Sequence, residues 1–313
     1  MNIFDENSNI EKSKNTVVTI GTFDGIHRGH RKILDELLRI SKEENSRNFV
    51  ITFEPHPRTV VAQKFDIRLL TTLEEKKEIF ENCGIENLMV INFTKEFSKL
   101  TSEEFIRKFI CDKIGARHVV IGYDHKFGRN RDGNESTLRS LGEKFGFDVT
   151  QVPPIKENDV VISSTLIRNL LLNGKVEEAN SYLGRNYLLS GKVVHGAGRG
   201  ISLGFPTANL QPNSKRKLIP ANGVYAVSVK LENKVYFGVM NIGFRPTFNQ
   251  TPHAITEVHV LDFNKDIYGE NITIGFVKRL RDEKKFGGKE ELIKQIKDDI
   301  QKTKEIFKER VIN

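Results

Sequence analysis

The chain has 313 residues, of which 38% are hydrophobic and 29% charged, which is the composition of a globular protein long enough for two cores. Its net charge of +8 is concentrated in residues 184–313, where 22 Lys and Arg face 13 Asp and Glu, against 27 and 28 in residues 1–183. No apolar run is long enough to span a bilayer, which excludes membrane-spanning helices. The two cysteines are widely spaced, which argues against a disulfide framework and a cysteine metal site.

The first half of the sequence alternates strand-like and helix-like segments. Its first fifteen residues are polar and acidic and resemble neither a secretory signal nor a transit peptide, so we expect a cytoplasmic protein. The segment 31–41 places Ile33, Leu34, Leu37 and Leu38 on one helical face. The alternation predicts a Rossmann-like parallel sheet with helices on both faces. We predict its strands at 16–20, 49–53, 88–91, 118–121 and 148–152.

The first predicted strand ends in a turn rich in glycine and histidine, and a helix follows. His27 and His30 lie three residues apart, so on the first helical turn they point the same way. A helix that begins beyond a parallel strand offers free N–H groups and a partial positive charge to a phosphate. Two histidines at this spacing could instead be half of a zinc site or ordinary surface residues, although no clear third ligand lies nearby.

A second helix start of this kind lies near Ser164. Ser163 to Thr165 can cap a helix, and Arg168, one turn further on, can reach a phosphate held there. The two segments, His27-Arg28-Gly29-His30 and Ile162-Ser163-Ser164-Thr165-Leu166-Ile167-Arg168, resemble the two signatures of the nucleotidyltransferase superfamily. The resemblance implies adenylyl transfer, with His27, His30 and Arg168 as the catalytic residues. It further implies an ATP site formed by Gly21, Phe23, Asp24, Gly29, Ser163, Ser164 and Thr165.

Two more loops follow predicted strands and should lie at the same edge of the sheet. The segments 52–57 and 122–128 resemble the segments of bacterial FAD synthetases that surround FMN. Phe127 could pack on the isoalloxazine ring or serve in the hydrophobic core, and the sequence favours neither. His125 and Lys126 differ from the residues usual in that family. The flavin contacts that the resemblance implies are Pro55, His56, Pro57, Asp124 and Phe127.

The pattern changes near Gly184, where strand-like runs follow one another without helices between them. Consecutive strands with Gly and Pro at the turns indicate an antiparallel barrel or sandwich. A helix with one apolar face follows at 289–309. We therefore expect two different domains, residues 1–183 and 184–313, because no internal repeat is present. The predicted strands of the second domain are 188–194, 224–231, 234–241, 255–262 and 272–280.

A glycine-rich run at 196–200 precedes Gly204-Phe205-Pro206-Thr207-Ala208-Asn209. By itself the run could be a hairpin or a phosphate cradle, and it lacks the Walker pattern. The second segment is the signature of riboflavin kinases, and segments 223–226, 241–243 and 257–263 resemble that family as well. The resemblance implies a riboflavin-kinase β-barrel in which Glu257 accepts the ribityl 5′-hydroxyl proton and Thr207 and Asn209 hold Mg²⁺. The implied ATP contacts are Gly196, Gly198, Gly200, Phe205, Pro206 and Asn241.

The two resemblances together span nearly the whole chain and imply a bacterial bifunctional riboflavin kinase and FMN adenylyltransferase. Such an enzyme converts riboflavin to FMN with release of ADP, and FMN to FAD with release of pyrophosphate, using ATP in both steps. One alternative gives the first domain another acceptor, such as nicotinamide mononucleotide or phosphopantetheine, although FMN is the natural next substrate. Another makes the basic second half a nucleic-acid surface, although no RNP motif or aromatic-basic stripe supports it. We expect neither nucleic acid nor membrane as a partner.

Overall fold

The computed structural model describes residues 1–61, 67–196, 200, 203–232, 234–245 and 253–312. The chain divides into two compact units, Met1–Ser164 and Thr165–Asn313. The predicted division after Leu183 was drawn where the sequence pattern changes, and it lies inside the second unit. The place of the boundary between the two activities stays a prediction.

The first unit is built on a parallel sheet, as the sequence predicts. Within the described residues six strands lie in the order β1-β4-β3-β2-β5-β6, and every neighbouring pair is parallel. The edge strand β1 pairs with β4 and was not predicted, because it is only three residues long. The strands are β1 Asn2–Phe4, β2 Thr16–Ile20, β3 Arg47–Glu54, β4 Asn87–Asn92, β5 His118–Gly122 and β6 Asp148–Val152.

Helices cover both faces of this sheet because successive strand residues point to opposite faces. Val17 belongs to an apolar cluster with Leu34 of α1, and Val18 belongs to the cluster on the other face with Phe105 and Phe109. A short hairpin, β7 Lys156–Glu157 and β8 Val160–Val161, follows the sheet. The helices are α1 Arg28–Glu43, α2 Pro57–Val61, α3 Leu73–Asn82, α4 Ser102–Phe105 with its π-helical continuation Ile106–Ile114, and α5 Glu135–Phe145.

The strand order reverses between β2 and β5, and this reversal positions the first candidate site. The chain runs from β2 outward through β3 to β4, and then returns to the other side of β2 for β5 and β6. In open α/β sheets, ligands bind beyond the carboxyl ends of the strands at such a switch point. The loops that leave β2 and β5 therefore begin at the favoured position for a ligand.

The second unit contains a closed antiparallel barrel, which confirms the predicted β-barrel. Among the described residues its strands run in the order β10-β13-β12-β11-β14-β9. Strand β10 was not predicted, because its five residues lack a β-branched or aromatic run. The strands are β9 Tyr187–Val194, β10 Ala208–Pro212, β11 Gly223–Leu231, β12 Lys234–Arg245, β13 His253–Val260 and β14 Asn271–Arg281.

Among the residues that the structure describes, the helices of this unit include α6 Ser164–Leu172, which begins one residue before it, α7 Val176–Leu183 and the terminal α8 Lys289–Ile312. On α7, the Asn180 side chain donates to the carbonyl of Phe276 at 2.8 Å and accepts the N–H of Tyr187 at 2.7 Å. Helix α8 is held by a double hydrogen bond from Arg281 to the buried carboxylate of Asp299, with N–O distances of 2.8–3.1 Å. Both helices are therefore tied to the barrel by polar contacts.

Candidate functional site

The two histidines of the first predicted site stand together at the start of α1. His27 is the N-cap residue, and its Nδ1 accepts the backbone N–H of His30 at 3.3 Å. The two imidazole rings stack, with 3.7 Å between their centroids and 17° between their planes. This N-cap bond satisfies one of the free N–H groups of the helix and fixes both rings at the end of β2.

The turn between β2 and α1 has a strained backbone that neighbouring groups hold in place. Phe23 and Ile26 have φ values of +46° and +37°, which non-glycine residues rarely adopt. Asp24 is 1% exposed, and its carboxylate accepts the backbone N–H groups of Leu70 and Thr71 at 3.0 and 3.1 Å. These contacts show Asp24 holding the turn. Its predicted part in ordering the nucleotide stays a prediction.

Behind the turn lies a lysine that the sequence analysis did not identify. Lys76 is 2% exposed, and its Nζ donates to the carbonyl of Thr22 at 2.8 Å. Burial lowers the pKa of this amine, while the negative charges of Asp24 and Glu54 act in the opposite direction. The run Glu-Glu-Lys-Lys suggests a solvent-exposed helix face, but Lys76 lies one turn before Phe80 on the buried face of α3. The four-residue spacing between Lys76 and Phe80 was the sequence signal that could have shown Lys76 on the buried face.

The second signature reaches the histidine turn through its first residues. The hydroxyl of Ser164 donates to the carbonyl of Asp24 at 2.9 Å. A Cβ atom added at Gly29 would lie 3.1 Å from the imidazole of His27 and 3.7 Å from the carbonyl oxygen of Ile162, so the glycine makes room for the ring of His27 beside this segment. Ser163 lies between these two contacts, and Gly21, which follows β2, donates its N–H to the carbonyl of Ile51 at 3.0 Å.

The later residues of this signature, from Thr165 onward, belong to the second compact unit. Thr165 and Arg168 lie on α6, in the second compact unit. Their predicted contacts with the triphosphate therefore stay predictions.

The loop after β3 carries Pro55, His56 and Pro57 to the same edge of the sheet. His56 is buried, and its Nδ1 accepts the backbone N–H of Arg58 at 3.2 Å. The carbonyl of His56 accepts the hydroxyl of Thr59 at 2.7 Å. These bonds give the loop a defined shape. Its predicted contact with FMN stays a prediction.

The loop after β5 combines a core residue with exposed polar groups. Phe127 is 8% exposed and packs against Phe105 in the hydrophobic core, with 6.3 Å between the ring centroids. These contacts give Phe127 a core role, and its predicted contact with the flavin stays a prediction. Asp124 and Tyr123 are exposed, and Tyr123 is an aromatic residue at this loop that the sequence analysis did not select.

His125 in this loop is a neutral imidazole at physiological pH. Burial and the nearby positive charge of Arg131 lower its pKa to about 4. Its ring stacks on Phe127, with 5.5 Å between the centroids. A ligand at this loop would therefore meet an uncharged ring at position 125.

In the barrel, three predicted site residues form one row across neighbouring strands. Asn209 of β10 pairs with Glu257 of β13, and Glu257 pairs on its other side with Asn241 of β12. Directly opposed residues of antiparallel strands point to the same face, with their Cβ atoms about 5 Å apart. The neighbours Val258 and Met240 are fully buried, so the row lies on the outer face of the barrel.

The glycine-rich run begins and ends beside this row. A Cβ atom added at Gly196 would collide with the side chain of Asn209, and one added at Gly200 would lie 2.9 Å from the hydroxyl oxygen of Thr207. Both glycines therefore allow the backbone to touch the predicted metal ligands. Gly198, a third predicted contact, lies outside the described residues.

Phe205 and Pro206 are tied to the same strand as Glu257. The Nδ1 atom of His259 lies 2.8 Å from the carbonyl oxygen of Pro206, and the ring of Phe205 meets the ring of His259 edge-on at 5.8 Å. Because His259 lies two residues beyond Glu257, its side chain points to the same face. The structure thus brings the described members of the predicted kinase site together on one face.

Comparison with known proteins assigns both halves of the chain. The sequence model of FAD synthetase matches residues 9–166, and that of riboflavin kinase matches residues 183–307. A bifunctional riboflavin kinase/FMN adenylyltransferase of Buchnera aphidicola subsp. Schizaphis graminum is 39% identical over 304 residues, covering 96% of each chain. The protein of the same description from Bacillus subtilis is 38% identical, covering 95% of this chain and 94% of its own.

A solved structure has the same fold over its whole length. It comes from Streptococcus pneumoniae, is described as a macrolide-efflux protein, and is 31% identical with a TM-score of 0.89. The match covers 97% of this chain and 99% of the other. Among the helices of the described residues, none has the length and apolarity needed to cross a membrane.

Proposed function

Because the chain belongs to the family of bifunctional riboflavin kinases and FMN adenylyltransferases, it phosphorylates riboflavin to FMN and adenylylates FMN to FAD, and we propose that the two described sites carry these reactions. The histidine turn of the first unit serves adenylyl transfer, and the outer face of the barrel serves phosphorylation. The family assignment removes the alternative in which the first domain uses another acceptor.

For adenylyl transfer, the observation that carries the proposal is the stacked pair His27 and His30 at the start of α1. In the reaction a phosphate oxygen of FMN attacks the α-phosphorus of ATP, the bond to the β-phosphate breaks, and pyrophosphate leaves. No protein nucleophile is needed, so catalysis consists of positioning and charge stabilisation. The imidazoles donate hydrogen bonds to the phosphates, Ser163, Ser164, Thr165 and Arg168 hold the triphosphate, and Gly21, Phe23, Asp24 and Gly29 shape the ATP site.

The flavin of this step binds beside the loops after β3 and β5. Both loops leave the sheet at the edge where the histidine turn lies, which brings the FMN phosphate toward the α-phosphorus. Pro55, His56, Pro57, Asp124 and Phe127 are the proposed contacts.

For phosphorylation, the row Asn209, Glu257 and Asn241 carries the proposal. Glu257 accepts the proton of the ribityl 5′-hydroxyl as its oxygen attacks the γ-phosphorus of ATP, and ADP leaves. Asn241, Phe205 and Pro206 line the ATP site, together with the glycine-rich run from Gly196 through Gly198 to Gly200.

Mg²⁺ is the proposed metal of this site. Thr207 and Asn209 offer a hydroxyl and an amide oxygen, the hard donors that Mg²⁺ prefers, and both approach the glycine-rich run. When bound with ATP, Mg²⁺ neutralises charge on the transferring phosphate group.

In this proposal the excess positive charge of residues 184–313 attracts anionic nucleotides such as ATP, and not nucleic acid. Within the part of the chain that the structure describes, Cys83 and Cys111 form no disulfide, which fits a reducing compartment such as the cytoplasm.

Isotope transfer tests the two reactions together. With riboflavin and ATP labelled at the γ-phosphate, label should enter FMN and remain in FAD. With ATP labelled at the α-phosphate, label should enter FAD and never FMN. Label from the α-position in FMN, or none from the γ-position, would contradict the proposal.

A further inference from the structure

Lys76 is a buried cation behind the turn that presents His27 and His30. Its side chain is 2% exposed, and its Nζ hydrogen-bonds the carbonyl of Thr22. Lysine is almost never fully buried without a compensating partner, because the ammonium loses its hydration. The surroundings of this ammonium must therefore supply the compensation.

Two carboxylates supply part of it. Asp24 lies within the histidine turn and is itself 1% exposed, and Glu54 ends β3 just before the loop proposed to contact FMN. The charges of both act on the Lys76 ammonium. Without the lysine, less positive charge would offset these two carboxylates next to the proposed binding place of a triphosphate and a flavin phosphate, and their repulsion of both would grow.

The hydrogen bond to Thr22 is the smaller part of what Lys76 provides. The hydroxyl of Thr52 also donates to the carbonyl of Thr22, at 3.3 Å. The carbonyl thus keeps a donor when the ammonium is removed, and the turn keeps the contacts of Asp24 with Leu70 and Thr71. The Thr52 hydroxyl does not replace the positive charge of the ammonium.

We infer that Lys76 is a positioning residue for adenylyl transfer, which offsets the charges of Asp24 and Glu54 so that the histidine turn accepts anionic phosphates. The inference rests on the proposed role of the histidine turn and places no contact between Lys76 and ATP. Because the lysine acts through the field at the turn, its loss weakens phosphate binding more than turnover.

The first experiment compares Lys76→Met with Lys77→Met in the full chain. Methionine keeps an apolar stem of similar length and removes the charge, while Lys77 is the neighbouring lysine, paired with Glu74 at 2.8 Å on the helix surface. The KM for ATP in FMN adenylylation should rise about 10- to 100-fold in Lys76→Met, as for a lost charged interaction, with a smaller change in kcat. Lys77→Met should match the wild type. The riboflavin kinase KM for ATP, measured on the same preparations, should stay unchanged in both.

The second experiment tests the charge directly. Adding Glu54→Gln to Lys76→Met removes one of the two negative charges that Lys76 offsets in the wild type and should lower the KM for ATP again. A lysine with a purely structural role predicts no such recovery. A KM for ATP that Lys76→Met leaves unchanged, or a rise in that KM that Glu54→Gln does not reduce, would overturn the inference.

The wild type gives a test that needs no variant to fold. The pKa of Lys76 is lowered below the ordinary value of 10.5, so its charge is lost as the pH rises toward that lowered pKa. The KM for ATP in adenylylation should rise over this range relative to the kinase KM, since the turn then loses the positive charge that faces Asp24 and Glu54. Parallel pH profiles for both reactions would overturn the inference. The histidine turn itself is tested separately by His30→Ala, so the two claims can fail independently.

Discussion

His30 and Glu257 have different chemical tasks, because one donates hydrogen bonds to phosphate oxygens and the other accepts a proton. His30 is held by ring stacking on His27 and packs edge-on against Phe23, with 5.3 Å between the centroids. Glu257 is held by strand register between Asn209 and Asn241. The two residues lie in different compact units, so a change at one should spare the reaction of the other.

For His30→Ala we expect FAD formation from FMN to fall about 100- to 1000-fold, the usual cost of losing one preorganised phosphate donor. Phosphorylation of riboflavin should be unaffected. The matched control is His118→Gln, since His118 belongs to the same sheet but lies at the opposite end of its strands, bonded to Thr150 at 2.8 Å. FMN adenylylation in His30→Ala within a few-fold of the control would refute the role of the turn.

For Glu257→Gln we expect riboflavin kinase turnover to fall about 10²–10⁴-fold, because glutamine keeps the shape of the side chain but cannot accept the hydroxyl proton. The KM for riboflavin should change less than kcat. Turnover is measured at saturating ATP, Mg²⁺ and riboflavin, with Glu232→Gln, in the turn between β11 and β12, as the control. Near-normal turnover would show that the base lies elsewhere.

Single residues also mark where sequence-based prediction succeeds and where it cannot. The histidine turn and the Gly-Phe-Pro-Thr-Ala-Asn segment are local patterns, and the structure brings their described residues together. The role of Lys76 depends on which helix face is buried and on carboxylates that are distant in sequence. The core role of Phe127 likewise depends on packing against Phe105, which lies on another element, and the sequence alone does not show that contact.

At the level of elements, strand–helix alternation and consecutive strands were enough to predict both architectures. What they missed were elements stabilised by their neighbours rather than by their own composition. Leu210 is the only buried residue of strand β10, and the strand exists through pairing with β9 and β13 on its two sides. Its omission mattered, because β10 carries Asn209, whose position opposite Glu257 is set by that pairing.

Helix α8 offers a test of how an element is attached to the barrel. Asp299 is 1% exposed and is bonded by Arg281 through two nitrogens, so Arg281→Met leaves a buried carboxylate without its countercharge. We expect the free energy of local opening of α8 to fall by about 3–5 kcal/mol, measured by hydrogen exchange of its backbone amides. Arg39→Met, which breaks exposed ion pairs with Glu36 and Glu43, should leave amide protection unchanged. Equal protection of α8 in both variants would contradict this account.

At the level of the whole molecule, the change of pattern near Gly184 suggested the boundary, whereas packing assigns α7 to the barrel unit. The buried side of α7 consists of Val176, Ala179, Tyr182 and Leu183. Amphipathic helices of this length show no sign in sequence of which neighbour they will cover. The sequence therefore predicts that the chain forms two different units, but it does not predict the residue at which they divide.

Fragments test this division. Residues 184–313 and residues 165–313, each expressed alone, should both convert riboflavin to FMN and make no FAD. The longer fragment should melt at a higher temperature because it keeps α7, with about 2–4 °C for each kcal/mol retained. Equal melting temperatures would mean that α7 contributes nothing to the barrel, and a folded shorter fragment without kinase activity would move the boundary.

The most direct test of two separate sites in one chain is flavin analysis after incubation of the full-length wild type, His30→Ala and Glu257→Gln with riboflavin, ATP and Mg²⁺. The wild type should yield FAD, His30→Ala should stop at FMN, and Glu257→Gln should leave riboflavin unchanged yet convert added FMN to FAD. FAD from His30→Ala at a rate near that of the wild type, or FMN from Glu257→Gln at such a rate, would contradict the assignment.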